Sequence, residues 1–135
     1  AVEENIVDAL CMWLVKNPMH YDVLLTLNLF GDIVSDLCSG LAGGVTASPS
    51  VSYGDKVALF EVLHGRAPEL VGQNKCNPIP MLNAASLMLR HLNEDEAAVR
   101  LNNAIVKALS LGVATPDLGG EDSTDQMVEA IIGAL

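Results

Sequence analysis

Asp22-Val-Leu-Leu-Thr-Leu-Asn-Leu-Phe-Gly-Asp-Ile-Val-Ser-Asp-Leu-Cys-Ser-Gly-Leu41 carries two hydrophobic periods, one after the other. Asp22 to Leu27 is a short apolar run with the length of a buried strand. Asn28 to Gly31 turns the chain, and from Gly31 onward Ile33, Leu37 and Leu41 recur at helical spacing. A strand that passes through a tight turn into a helix is the unit of an α/β fold.

Upstream, Ala1 to Lys16 reads as a helix with Ile6, Leu10, Trp13 and Leu14 on an apolar stripe. Asn17-Pro18 ends it, because proline disfavours a helical residue before it. Downstream, Gly40, Gly43 and Gly44 close the second helix and open a polar loop, Thr46 to Lys56. Val57 to Val62 is a second strand candidate, and Leu63 to Asn77 is a long loop without apolar period. Loops of that length inside a compact domain are uncommon unless they carry function. Asn77-Pro78 suits the start of a helix running to His91 or Leu92, and Glu94 to Leu111 is a further helix closed by Gly112. Thr115 to Asp122 is a turn, and Ser123-Thr-Asp-Gln126 is a capping box opening a last helix to Leu135. The expected class is α/β, with layers left incomplete because two or three strands cannot form a sheet covered on both faces.

Composition narrows the function. Half the residues are apolar and 18% are charged, which excludes a disordered tail. Seven Lys and Arg stand against seventeen Asp and Glu, a formal charge of −10, which argues against a nucleic-acid binder that must displace counterions with a basic face. An aromatic content of 4% argues against a base-stacking platform. No apolar run reaches membrane-spanning length, and Glu3 and Glu4 stand where a signal peptide would be basic. Cys11, Cys38 and Cys76 are odd in number and lack C-x-x-C spacing, so they read as buried free thiols of a reducing compartment. His20 and His91 lack metal-ligand spacing and read as surface or packing residues, while Met81, Met88 and Met127 read as core.

Asp32 and Asp36 lie at i and i+4 on one helix face. Like charges so placed are destabilising by about 0.2–0.5 kcal/mol in an isolated helix. A hard divalent cation would remove that penalty, since Mg²⁺ takes one or two carboxylates together with waters and substrate oxygens. A solvated acidic face is the competing reading. Asp8, set between Val7 and Ala9 in a largely apolar helix, is a third carboxylate of note.

The string Asn28-Leu-Phe-Gly-Asp-Ile-Val-Ser-Asp36, followed by Gly43-Gly44, resembles the signature of the metal-dependent decarboxylating dehydrogenases of isocitrate, homoisocitrate and 3-isopropylmalate. In the same order come Ile6-Val-Asp8, Phe60-Glu-Val-Leu-His-Gly65, Ala67-Pro68, Asn77-Pro78 and Met88-Leu-Arg-His91. Thr115-Pro-Asp-Leu-Gly-Gly120 looks like the tail of the NAD-linked isocitrate and homoisocitrate members, so the resemblance covers nearly the entire chain. It implies an isopropylmalate dehydrogenase-like fold of α/β/α layers, of which residues 1–135 are a single C-terminal segment. The whole subunit would then be roughly two to three times longer.

The resemblance further implies that Asp32 and Asp36 bind Mg²⁺ or Mn²⁺ from one subunit while Asp8 completes the site across a dimer interface. His64, Gly65, Ala67 and Asn77 match the loop around the adenosine half of the nicotinamide cofactor. Glu69 matches the position where NAD-linked relatives carry an acidic residue and some NADP-linked ones a lysine. Arg66 stands where relatives usually carry Ser or Thr, and Leu27 where proline is frequent. The family's catalytic tyrosine and lysine and its substrate-binding arginines have no match in this segment. The implied activity is oxidation of a 2-hydroxy acid by NAD with loss of CO₂, isocitrate to 2-oxoglutarate in the tricarboxylic acid cycle. Homoisocitrate and 3-isopropylmalate are alternative substrates. A non-catalytic regulatory subunit of a hetero-oligomeric isocitrate dehydrogenase and a free-standing acidic interaction domain are readings of other classes. A homo- or hetero-oligomer in the cytoplasm or mitochondrial matrix is expected, with the 135 residues inactive by themselves.

Overall fold

The computed structural model describes residues 2–44 and 49–135. They fall in two compact units, Ala1–Ala47 and Ser48–Leu135. Both helices and strands are present, and the chain is α/β in composition.

The first unit holds two helices, α1 (Val7–Lys16) and α2 (Asn28–Leu41). Leu10 and Leu14 of α1 are buried against Val34 of α2, with Val7, Cys11, Tyr21, Leu24, Leu37 and Cys38 packed around them. The apolar stripe is thus narrower than the sequence suggests, because Ile6 and Trp13 remain exposed. α1 starts at Val7 and not at Ala1, and Asp8 in its first turn favours the positive end of the helix dipole. Asn28 to Phe30, expected as a turn, are the first residues of α2. Asp22 to Leu27, expected as a strand, is not one. Among the described residues no backbone hydrogen bond reaches Val23 to Thr26, and Val23 and Leu25 are 83% and 98% exposed. Apolar residues mark what a segment tends to bury, but a strand exists only where a neighbour pairs with its N–H and C=O groups.

The second unit begins with a hairpin. β1 (Pro49–Tyr53) pairs antiparallel with β2 (Ala58–Val62), Val51 opposite Phe60 and Tyr53 opposite Ala58. The polar loop expected over Thr46–Lys56 is therefore a strand from Pro49 to Tyr53, while 46–48 lie outside the described residues. Its serines hid the alternation: Ser50 and Ser52 share one face, and Pro49, Val51 and Tyr53 share the other. Gly54 N–H donates to Val57 O at 2.8 Å to close the turn. Tyr53 and Phe60 both lie against the His91 ring, at 5.7 and 5.5 Å between centroids, so the hairpin packs on α3 (Ile79–His91) through that face. His91, exposed yet in ring contact with the hairpin, fits the expectation of a surface or packing residue.

α3, α4 (Asp95–Ser110) and α5 (Thr124–Ile132) build the main core from Ile79, Ala104, Ile105, Ala108, Met127 and Ile131. Ala98, Ala104 and Ala108 of α4 are buried, and Met127 is fully buried. Met81 and Met88, expected in the core, are exposed on α3. The helix ends follow the residues that cap them. Gly112 takes a left-handed φ of 85° after α4, where a side chain would be strained. Ser123 Oγ accepts from Gln126 N–H at 3.2 Å while Gln126 Oε1 accepts from Ser123 N–H at 2.8 Å, the expected capping box. All three cysteines are free thiols, but none is fully buried and Cys76 is exposed, in contrast to the reading from composition.

Candidate functional site

The candidate metal ligands lie on α1 and α2. α2 carries Asp32 and Asp36 one turn apart, both exposed, while Val34 between them is buried on the opposite side of the helix. Ser35 and Ser39 hydroxyls bond back to the helix at Asp32 O (3.0 Å) and Ser35 O (2.7 Å). Neither carboxylate has a hydrogen-bond or ion-pair partner among the described residues, and no Lys or Arg neutralises the pair. Two unpaired carboxylates at this spacing are a hard oxygen donor set of the kind that suits Mg²⁺ or Mn²⁺. Asp8, also exposed, accepts the Ala9 N–H at 2.6 Å. Among the described residues no three His, Cys, Asp or Glu side chains of one chain converge to hold a metal ion, so Asp8 does not join Asp32 and Asp36 within a single copy.

The loop Leu63–Asn77 contains a single 3-10 turn, Pro68–Leu70, and is otherwise irregular, as its sequence implies. His64 and Gly65 are exposed, with His64 Nδ1 2.8 Å from Gly65 O. Ala67 holds a left-handed φ of 37°, uncommon for a residue with a side chain. It places Pro68 at the start of the turn and Glu69 with its carboxylate in solvent. Gln73 Nε2 donates to Glu69 O at 2.5 Å and fixes the backbone beneath that carboxylate. Arg66 is exposed in the same loop, so one cation and one anion flank Ala67-Pro68.

Asn77 ends the loop and caps α3, its Oδ1 accepting from Ile79 N–H at 2.9 Å. Its Nδ2 donates to Asp117 Oδ2, also at 2.9 Å. Asp117 Oδ1 in turn accepts from the hydroxyl of Thr115, which is fully buried. Further up the loop, Asn74 takes a left-handed φ of 56° and accepts from Thr124 N–H through its own carbonyl at 2.9 Å. Its side chain donates to Asp125 Oδ2 at 2.9 Å, and Thr124 Oγ1 donates to Cys76 O at 2.6 Å. The loop is thus fastened to the segment from Thr115 to Asp125. The sequence implies a turn over Thr115–Asp122 and a capping box over Ser123–Gln126, but no bond from Asp117, Asn74 or Thr124 across to another segment. The available signal was Thr-x-Asp before a Gly-Gly pair, the pattern of a side chain bonded to its own turn. A cavity of 290 Å³ in the first unit, lined by Glu3, Asn5, Trp13, Asn17, His20 and Tyr21, includes none of the candidate residues.

Residues 1–131 match the family model of isocitrate/isopropylmalate dehydrogenase. The chain belongs to that family. It is 45% identical over 134 residues to an isocitrate/homoisocitrate dehydrogenase of Thermus thermophilus, covering 99% of this chain and 40% of the relative. It is 47% identical over 135 residues to mitochondrial NAD isocitrate dehydrogenase catalytic subunit 5 of Arabidopsis thaliana, covering 98% and 36%. The crystal structure of isocitrate dehydrogenase from Methylococcus capsulatus superposes with a TM-score of 0.90 at 42% identity, over 96% of this chain and 39% of that one. Family members of similar identity include a 3-isopropylmalate dehydrogenase of Methanothermobacter thermautotrophicus and a regulatory NAD isocitrate dehydrogenase subunit of Dictyostelium discoideum. The chain spans about two-fifths of the length of these relatives. The fold is accordingly a part of the family's larger α/β architecture. No described helix is long and apolar enough to cross a membrane.

Proposed function

We propose that the full protein carries out metal-dependent oxidative decarboxylation of isocitrate to 2-oxoglutarate with NAD, and that this chain supplies the metal aspartates and the adenosine-side cofactor loop. The observation that carries the reading is the exposed, unpartnered Asp32–Asp36 pair on α2, in a chain of the decarboxylating dehydrogenase family. In solvent alone that pair only repels, so a helix that keeps it gains by a bound cation.

Asp32 and Asp36 would hold Mg²⁺ or Mn²⁺, with Asp8 contributed by a second subunit of a homo- or hetero-oligomer. The ion, when bound, supplies Lewis acidity at the substrate's hydroxyl and carboxylate oxygens. The aspartates fix where that positive charge sits, and so where negative charge developing in the reaction is stabilised. His64, Gly65, Ala67, Glu69 and Asn77 orient the cofactor, whose nicotinamide accepts the hydride. Glu69 can accept hydrogen bonds from the ribose hydroxyls, as the acidic residue of dinucleotide-binding folds does. A 2′-phosphate there would meet like charge, which favours NAD over NADP. The family's tyrosine, lysine and arginines that protonate and grip the substrate have no match in these 135 residues, which are therefore expected to be inactive by themselves.

The Dictyostelium relative, a regulatory subunit 44% identical, favours a second reading in which the chain belongs to a non-catalytic subunit. Against it stands the retention of Asp8, Asp32 and Asp36 together, which a regulatory chain has less need to keep. Turnover of the full protein with Mn²⁺ and NAD on isocitrate, homoisocitrate and 3-isopropylmalate separates these readings. Fastest oxidation of isocitrate is expected. A preference for another substrate overturns the assignment of isocitrate, and no turnover of any of the three overturns the catalytic reading.

A further inference from the structure

The Asn77 carboxamide is committed at both ends inside the chain. Oδ1 accepts from Ile79 N–H and Nδ2 donates a hydrogen bond to Asp117 Oδ2, each at 2.9 Å. The side chain therefore fixes the end of the loop. Asp117 is itself rigidly placed. Its second oxygen receives the hydroxyl of Thr115, a side chain with no exposure, at 2.6 Å. The 3-10 turn Pro116–Leu118 beneath it is closed by Gly120 N–H to Thr115 O at 3.1 Å and by Gly119 in a left-handed φ of 83°. A charged hydrogen bond from a rigid turn to the last residue of an otherwise irregular loop restrains that loop before any ligand arrives, and preorganisation of this kind lowers the ordering cost of binding.

We propose that Asp117 is a positioning residue for the cofactor, acting through Asn77 to hold the loop Leu63–Asn77 in its binding conformation. The proposal rests on the reading of that loop as the nicotinamide-cofactor loop. Among the described residues, Asp117 is the charged side chain that hydrogen-bonds to one of the five cofactor candidates through its side chain. The staples at Asn74 and Cys76 hold the same end of the loop through its preceding residues, and Asp117 adds the charged restraint on Asn77 itself.

The test uses the full protein and four forms: wild type, Asp117→Ala, Asn77→Asp, and the double variant Asn77→Asp with Asp117→Asn. Asn77→Asp keeps an acceptor for Ile79 N–H but sets two carboxylates against each other. The double variant reverses donor and acceptor. The carboxamide it puts at position 117 would donate to the carboxylate at position 77, while its oxygen would still receive the Thr115 hydroxyl. NAD affinity is measured by titration calorimetry, with KM and kcat from initial rates and Tm for each form. We expect Kd and KM for NAD to rise about tenfold in both single variants, with kcat within twofold. The double variant is expected to return Kd to within about threefold of wild type. An unchanged Kd in Asp117→Ala, or a double variant as weak as Asn77→Asp, overturns the positioning role. Should Asp117→Ala fail to fold, the comparison of Asn77→Asp with the double variant decides the question. Hydrogen exchange over residues 63–77 of the wild type, with and without saturating NAD, tests the loop reading separately. Absence of protection there overturns that reading and the proposal with it, whereas protection with an unchanged Kd in the variants overturns the proposal alone.

Discussion

Asp36 stands one turn beyond Asp32 and farther from the positive end of the α2 dipole, so an ion, if bound, is the main compensation for its charge. In the full protein, Asp36→Asn is expected to raise the Mn²⁺ concentration for half-maximal activity by at least about tenfold. Even loss of an outer partner of a metal ligand costs about 10–100-fold. A metal titration of initial rates checks it, and unchanged metal dependence refutes the assignment. Glu69→Lys is expected to lower kcat/KM for NAD by about tenfold and to raise that for NADP relative to it, since lysine can pair a 2′-phosphate. Retained NAD preference in that variant counts against Glu69 as the discriminating residue, and Arg66, exposed in the same loop, becomes the next position to vary. Gly120→Ala tests the turn that carries Asp117. A Cβ there would overlap the backbone carbonyl of Ala114, which cannot swing away as a side chain can. A lower Tm and weaker NAD binding together are expected from Gly120→Ala. A lower Tm alone would mean that the turn matters for folding only.

The helices were readable because their signals are local. Ser123 and Gln126 cap each other within four residues, and Gly112 stops α4 through its own φ. Ser123→Ala is expected to cost about 1 kcal/mol of stability, measured by denaturant titration of the full protein. The strands were read less well, for a reason that is also physical. Strand pairing is non-local, so the apolar run marks Val57–Val62, whereas serines on one face mask Pro49–Tyr53. At Asp22–Leu27 the hydrophobic pattern suits a buried strand, yet no described backbone hydrogen bond reaches Val23 to Thr26. Helix faces were only half right as well. Leu10, Leu14 and Val34 are buried but Ile6, Trp13 and Ile33 are not, because periodicity marks every apolar residue on a stripe and packing selects among them.

Many large apolar side chains lie exposed in this chain, among them Val23, Leu25, Leu27, Leu29 and Leu59. Single exposed apolar residues are ordinary, but successive ones along Val23–Leu29 form the kind of surface that seeks a cover. The 135 residues expressed alone are therefore expected to self-associate and to bind a hydrophobic dye, with no oxidation of isocitrate in the presence of Mn²⁺ and NAD. Light scattering that shows a monodisperse monomer, or clear turnover, refutes this.

Residue identity and order were enough for the α/β class, the helices, the irregular loop Leu63–Asn77 and a family resemblance that the family match bears out. Each of these depends on chemistry between neighbours in the chain or on a motif read in order. The Asp117–Asn77 bond joins residues 40 positions apart, and the Thr124–Cys76 bond residues 48 apart. Neither side chain type implies its partner, since asparagine, aspartate and threonine can satisfy their hydrogen bonds equally well in water. The tertiary fold chose those partners by bringing the start of α5 and the turn before it against the end of the loop. The motif Asn77-Pro78 implies the bond from Ile79 N–H to the Asn77 side chain at the helix start, whereas the tertiary fold alone decided that the other end of that side chain meets Asp117.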